Sequence, residues 1–196
     1  MEIWGQPLSM TEFFGSIFGI AGVYLTVKKN IWCFPTGLAN VGLYGVLFFN
    51  ERLYADAILQ VFYLFLLVYG WMQWKRTDQQ NDFITTKIER EFWILLAIIC
   101  IGATMLIGTV FKNYTDASLP YLDSLLTSMS FIAQWMVAKK KLENWLVWIV
   151  ADIVYVGMYI YKDLYLTAGL YFVFIILAFI GYREWKKKLA VNGSVA

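Results

Sequence analysis

The sequence contains no histidine and only two cysteines in its 196 residues. Without imidazole there is no ready proton shuttle and no His-containing metal set. Cys33 and Cys100 both fall inside apolar stretches, so they build no metal site and no disulfide framework and read as small packing residues. Charge is scarce too: 15% of residues are charged, against about 25% in a soluble domain. No Gly-rich loop ending in Lys-Ser or Lys-Thr is present, which removes the phosphate cradle of a nucleotide-driven pump. The N-terminus has Glu2 and no early basic residue, which is no signal-peptide pattern, and residues 1–10 read as a short exposed tail.

What remains is apolar and aromatic. Hydrophobic residues make up 60% of the chain and aromatic ones 19%, and the mean hydropathy is +0.60. About 20 apolar residues cross a bilayer. The charges cluster and leave long stretches almost without them, so residues 1–196 read as one all-α, polytopic membrane domain. Seven spans are predicted: 11–27, 31–49, 54–74, 92–111, 119–138, 145–161 and 164–182. Gly15, Gly19 and Gly22 give the first span a small-residue face for close helix contact. Pro35 sits near the start of the second, where its missing N–H is unpaired anyway. The fourth span is almost purely aliphatic. Residues 75–91 form the one long polar connection, 183–188 close the bundle, and 191–196 read as a disordered end. The last span holds no lysine, which excludes a retinal-type pigment.

Loop charge predicts the orientation. Arg52, Lys112 and Lys162 fall on one side, and the other thirteen Lys and Arg residues on the opposite side. The positive-inside rule puts those thirteen in the cytoplasm, with the N-terminus outside and the C-terminus inside.

The chain also repeats at an offset of 111 residues. Tyr44, Leu53-Tyr54, Ala57, Leu59, Gly70, Trp74 and Lys75 recur as Tyr155, Leu164-Tyr165, Ala168, Leu170, Gly181, Trp185 and Lys186, and Lys28-Lys29 recur as Lys139-Lys140. Residues 11–74 then form a first three-helix unit, 119–182 a second, and 92–111 a linker helix. Parallel repeats of this kind are a carrier architecture with the site between the halves.

Several predicted helices carry a polar or aromatic stripe, and such faces do not all point at lipid. Thr36, Asn40 and Tyr44 share a face of the second, and Asp56, Gln60, Tyr63 and Trp71 a face of the third. Asp123, Thr127, Ser130 and Gln134 share a face of the fifth, Trp145, Trp148, Asp152, Tyr155 and Tyr159 one of the sixth, and the seventh offers Thr167 and Tyr171. The stripes are expected to converge on a pocket with the fourth span outside it. An acid within an apolar helix costs enough to mark function, and aromatic faces beside it suit a flat cationic ligand. The expected ligand set is Asn40, Tyr44, Gln60, Tyr63, Trp145, Trp148, Asp152 and Tyr155. Asp56 and Asp123 fall near span ends.

On particular motifs the chain resembles the PnuC-type vitamin transporters over nearly its whole length. The motifs are Leu53-Tyr54-Ala55-Asp56-Ala57 leading to Leu59-Gln60-Val61-Phe62, Tyr69-Gly70-Trp71-Met72-Gln73-Trp74, and Glu143-Asn144-Trp145-Leu146-Val147-Trp148. The resemblance implies a SWEET-like 3+1+3 fold in the bacterial inner membrane. It also implies facilitated diffusion of nicotinamide riboside, thiamine or riboflavin, trapped inside by a cytoplasmic vitamin kinase. It carries Gln60, Trp145 and Trp148 over as site residues, with Asn40 in Gly37-Leu38-Ala39-Asn40-Val41. Riboside carriers of that family have Asn where this chain has Asp152. A carboxylate accepts hydrogen bonds and adds charge, whereas an amide also donates. That leans the expected substrate to thiamine, cationic and without a carboxamide, with nicotinamide riboside close behind. No cofactor, metal or nucleic acid is expected, and no enzymatic activity. Proton coupling stays open, as does the oligomeric state, a homo-oligomer included. A receptor or assembly subunit without transport is the rival class.

Overall fold

The computed structural model describes residues 2, 3, 6, 7, 10–50, 54–78, 84–115 and 118–193. Sequence expectations that fall on Arg52, Leu53, residues 79–82 and residues 194–196 lie outside that set. Among the described residues are seven helices: α1 (Met10–Val27), α2 (Cys33–Asn50), α3 (Tyr54–Asp78), α4 (Arg90–Tyr114), α5 (Pro120–Ala138), α6 (Asn144–Tyr161) and α7 (Tyr165–Gly193). A two-residue hairpin precedes them, β1 (Glu2–Ile3) against β2 (Gln6–Pro7), where the sequence reading has only an exposed tail.

Most helix starts fall within two residues of the apolar runs, because burial in lipid and helix length coincide there. Pro35 sits in the first turn of α2, where it removes no helical hydrogen bond. The ends differ where a polar run stays helical. α7 continues eleven residues past the expected end at Tyr182, through Arg183, Lys186 and Lys187 to Gly193. Lys and Glu are good helix formers, and Lys187 pairs with Glu184 one turn back at 2.9 Å. Hydropathy marks where the chain leaves the bilayer, not where the helix stops.

Four of the helices are long and apolar enough to cross a membrane, over Asp56–Arg76, Arg90–Tyr114, Asn144–Tyr161 and Tyr165–Lys187. The chain is a multi-pass membrane protein. On α4, Ile94, Ile98, Ile101 and Leu106 are 60–69% exposed, an arrangement that only a hydrocarbon solvent makes favourable.

Packing joins α1 to α2, α2 to α3, α5 to α6 and α6 to α7, and crosses between these groups through α1 with α7 and α3 with α5. α4 lies against α5. The segment before α4 is more than a polar loop. Thr86 bridges to Lys141 beside the α5–α6 turn, and the Ile88 N–H donates to Glu143 Oε2 at 3.1 Å.

Residues 111 apart meet matching surroundings. Lys29 and Lys140 both take left-handed backbone, with φ of 58° and 56°, in the turns after α1 and α5. Phe34 meets Trp74 edge to face at 5.0 Å, and Trp145 meets Trp185 the same way at 5.4 Å. Gly70 and Gly181 make room for those rings: a Cβ on either would stand about 2.5–2.6 Å from Phe34 or Trp145. The largest core cluster gathers Phe34, Trp74, Trp145 and Trp185 at the end of the bundle that carries most of the basic residues.

Candidate functional site

The stripe along α6 does not act as a unit. Fourteen residues of helix separate Trp145 from Tyr159, and at 1.5 Å per residue the two ends lie about 21 Å apart. The structure accordingly assigns them to different places. Trp145 is 2% exposed and belongs to the tryptophan core at the basic end. Trp148, half-buried, packs against that same core. Trp145 thus packs in that core, and its buried indole N–H has no hydrogen-bond partner among the described residues.

Asp152, Tyr155 and Tyr159 stand deeper, in an aromatic box. Tyr155 stacks with Tyr159 at 5.9 Å and 14°, and both rings meet Tyr171 of α7, at 4.6 and 5.1 Å. Tyr171 in turn meets Phe174 at 5.6 Å. From the other side Tyr63 of α3 meets Phe131 of α5 at 4.7 Å, and Ser130 lies beside the hydroxyls of Tyr63 and Tyr155. Asp152 is 3% exposed, and its charge reaches Tyr155 and Tyr171. No hydrogen bond or ion pair holds this carboxylate among the described residues. Four helices, α3, α5, α6 and α7, therefore bring aromatic rings together around an acid that is unpaired among the described residues. A carboxylate in such surroundings binds a cation or a set of donors, and tyrosine faces favour a flat cation.

The α2 stripe is used otherwise than expected. Gly15, Gly19 and Gly22 of α1 lie against Tyr44, Asn40 and Thr36. With no side chain on α1, the polar groups of α2 reach its backbone. Asn40 Nδ2 donates to the Gly15 carbonyl at 2.7 Å, and the Tyr44 hydroxyl stands 3.4 Å from Ser16 Oγ. Thr36 Oγ1 donates back to Trp32 and Cys33 of its own chain segment. The Asn40 and Tyr44 contacts join α2 to α1, and they engage one of the two amide N–H groups of Asn40. Tyr44 still stands within electrostatic reach of Tyr159, at the rim of the box. Gln60 lies against Gly45 of α2, one turn from Tyr63, half-buried.

Tyr63, Asp152 and Tyr155 thus come together, Tyr44 and Gln60 border them, Asn40 gives one amide N–H to α1, Trp145 lies in the core and Trp148 packs against it. Tyr159, Tyr171 and Ser130 complete the box. Each sits on a stripe visible in the sequence, but only packing shows their depth. Phe131 and Phe174 carry no polar signal at all. At the opposite end of α5, Lys162 pairs with Asp123 at 3.5 Å, and Asp56 shares their field. Among the described residues no group of three His, Cys, Asp or Glu side chains could hold a metal ion.

Comparisons with known proteins agree on one family. Residues 9–187 match the family described as Nicotinamide mononucleotide transporter. The protein of Escherichia coli strain K12 named Nicotinamide riboside transporter PnuC is 28% identical over 98% of this chain and 91% of its own length. The Riboflavin/roseoflavin transporter RibM of Streptomyces davaonensis is 25% identical over 93% of this chain and 87% of its own. A crystal structure of the vitamin B3 transporter PnuC superposes with a TM-score of 0.72 at 20% identity, over 90% of this chain and 80% of that one, a likeness in fold.

Proposed function

The chain belongs to the nicotinamide mononucleotide transporter family, the PnuC-type vitamin transporters, and from that premise we propose that it carries nicotinamide riboside across the bacterial cytoplasmic membrane by facilitated diffusion. The observation that carries this reading is the kinship, residues 9–187 matching that family and a relative named for nicotinamide riboside matching 98% of this chain, and Asp152, buried among tyrosines and unpaired among the described residues, fits a cationic ligand. An unpaired carboxylate in a low-dielectric interior costs several kcal/mol. A ligand that brings a fixed positive charge and hydroxyl donors offsets that cost. Nicotinamide riboside has both: a pyridinium ring for the faces of Tyr155 and Tyr171, and a ribose whose hydroxyls donate to Asp152. Its carboxamide finds Gln60 and Ser130 at the rim.

Thiamine, which the sequence favours through Asp152, gives way. The relatives described above are named for nicotinamide riboside and for riboflavin, and Asp152 serves the riboside cation equally well. Riboflavin is neutral and gains less from the acid.

In this reading α1–α3 and α5–α7 are two parallel three-helix units with α4 as linker, and the matching surroundings of residues 111 apart support it. The basic end faces the cytoplasm, as loop charge implies. Since Asp152 is closed off, the two units rock to admit the ligand from one side and release it to the other. No chemical step is involved, and phosphorylation by a cytoplasmic kinase keeps the gradient.

The test is a titration of the purified protein with nicotinamide riboside, thiamine and riboflavin, followed by tryptophan fluorescence and calorimetry. The riboside is expected to bind at least about tenfold more tightly than thiamine, a difference of about 1.4 kcal/mol. Preference for thiamine overturns the substrate assignment, and binding of none of the three returns the chain to a receptor or assembly role.

A further inference from the structure

Two tryptophans join the halves of the molecule in the same way. The indole N–H of Trp74, near the end of α3, donates to the Val137 carbonyl near the end of α5 at 3.1 Å. The indole N–H of Trp185, in α7, donates to the Thr26 carbonyl near the end of α1 at 3.2 Å. Donors and acceptors are each 111 residues apart, so the contacts are reciprocal: each half offers one tryptophan and one carbonyl to the other. Each indole is also covered by a cation from the turn it grips. Lys140 Nζ stands 5.7 Å from the Trp74 ring, and Lys29 Nζ 5.7 Å from the Trp185 ring. Both indoles are at most 2% exposed.

We propose that this reciprocal pair of tryptophan clasps is the gate that closes the basic end of the bundle, and that both clasps open together when the site discharges through that end. The inference rests on the carrier reading above for its purpose, but its geometry is independent of the substrate.

Three features suit the pair to opening. Each carbonyl lies in the last turn of its helix, where helical partners run out. Each also accepts the N–H of the turn itself, from Lys29 at 3.0 Å and Lys140 at 2.9 Å, so release of the indole orphans no acceptor. The indole N–H is left to water, which reaches a bundle end readily and a bundle centre hardly at all. The contacts that must part are α1 with α7, α3 with α5 and the Trp74–Trp185 ring contact at 6.2 Å in the shared core, while the α1–α2–α3 and α5–α6–α7 packing is untouched.

A native reporter stands in the same cluster. Cys33, at the start of α2, is 5% exposed and belongs to the core cluster that holds Phe34, Trp74 and Trp185. The experiment measures the rate at which a membrane-impermeant maleimide labels Cys33 in purified full-length protein, with Cys100→Ala in every sample. Trp74→Phe and Trp185→Phe keep a ring and remove the donor. Each is expected to raise the labelling rate about fivefold, the weight of one buried hydrogen bond, and the double variant more than either. Rates equal to the parent in monodisperse variants would overturn the gate and leave the clasps as fixed scaffolding. Where a tryptophan variant does not purify as a single species, Lys29→Gln and Lys140→Gln loosen the same clasps through the cation alone. They are expected to raise the rate about twofold, and no rise overturns the proposal equally. Uptake of nicotinamide riboside by the parent is followed in parallel. Labelling that responds to the variants in a protein without such uptake upholds the gate and rejects only the substrate.

Discussion

Burying a carboxylate to 3% exposure without a hydrogen bond among the described residues works against stability. Asp152 is held there by the packing of α6 between its neighbours, and a buried lone carboxyl group keeps its charge only beside a cation or hydrogen-bond donors. Replacing Asp152 by Asn removes the charge and keeps the shape. The variant is expected to melt about 2–4 °C higher in detergent, as for a gain of about 1 kcal/mol in a chain of this size. It should bind nicotinamide riboside about tenfold more weakly, since one charge-assisted contact is lost. The reduced, uncharged riboside is the control: its affinity should change little. Paired calorimetric titrations of the two redox forms against parent and variant check this. An equal loss for both forms would show that Asp152 acts through shape and hydrogen bonding rather than charge. Asn40 makes the opposite case. Its amide donates to the Gly15 carbonyl and stitches α1 to α2. Asn40→Ala is expected to lower the melting temperature by several degrees, for about 1–2 kcal/mol of lost contact and packing. Riboside affinity should stay within about threefold of the parent. A tenfold loss of affinity with unchanged melting would place Asn40 at the ligand instead.

Along the helices, periodicity told more about faces than about neighbours. The seven apolar runs became seven helices because a bilayer and a helix of about 20 residues fit each other. Where polar residues kept the helical conformation, as from Arg183 to Gly193 in α7, hydropathy stopped too early. Tyr63, Asp152 and Tyr155 were legible as site candidates because an acid and tyrosines on apolar helices have few other uses. The α2 stripe was misjudged, although the reason was in the sequence: three glycines on α1 leave a backbone groove, and Asn40 and Tyr44 fill it. A helical wheel gives an angle and not a depth, so Trp145 and Tyr155 looked like members of one site while lying about 15 Å apart along α6. The repeat held a clue to this. Trp145 falls 111 residues after Phe34, and both pack against the tryptophan of their own half. The two units also divide the work unequally. Tyr44 and Phe48 meet at 5.8 Å where the second unit has Tyr155 and Tyr159 at 5.9 Å, but Val41 stands in the place equivalent to Asp152. The rings around Asp152 come mostly from α5–α7, and α1–α3 supplies Tyr63.

As a whole the bundle is closed around the box, clasped at its basic end by two tryptophans. An ion-pair cluster of Asp123 and Lys162 lies at the other end of α5 and α6. The facilitated-diffusion reading proposed above needs no coupling ion and no nucleotide. A carrier of this kind brings a cationic ligand to electrochemical equilibrium, so at zero membrane potential accumulation has to come from consumption inside. Reconstituted into vesicles, the protein is expected to exchange labelled for unlabelled nicotinamide riboside rapidly. It should bring the internal concentration to the external one and no further. With the membrane potential clamped at zero, an imposed pH or sodium gradient should not move that endpoint. Enclosing a riboside kinase with ATP should raise total internal label well above the external level, all of the excess phosphorylated. Replacing Asp152 by Asn is expected to slow exchange without altering the endpoint, because a carrier changes the rate of approach and not the equilibrium. Uphill accumulation driven by a pH gradient without kinase would instead make Asp152 a coupling group that carries a proton alternately with the cation, and would reassign the chain from facilitator to exchanger.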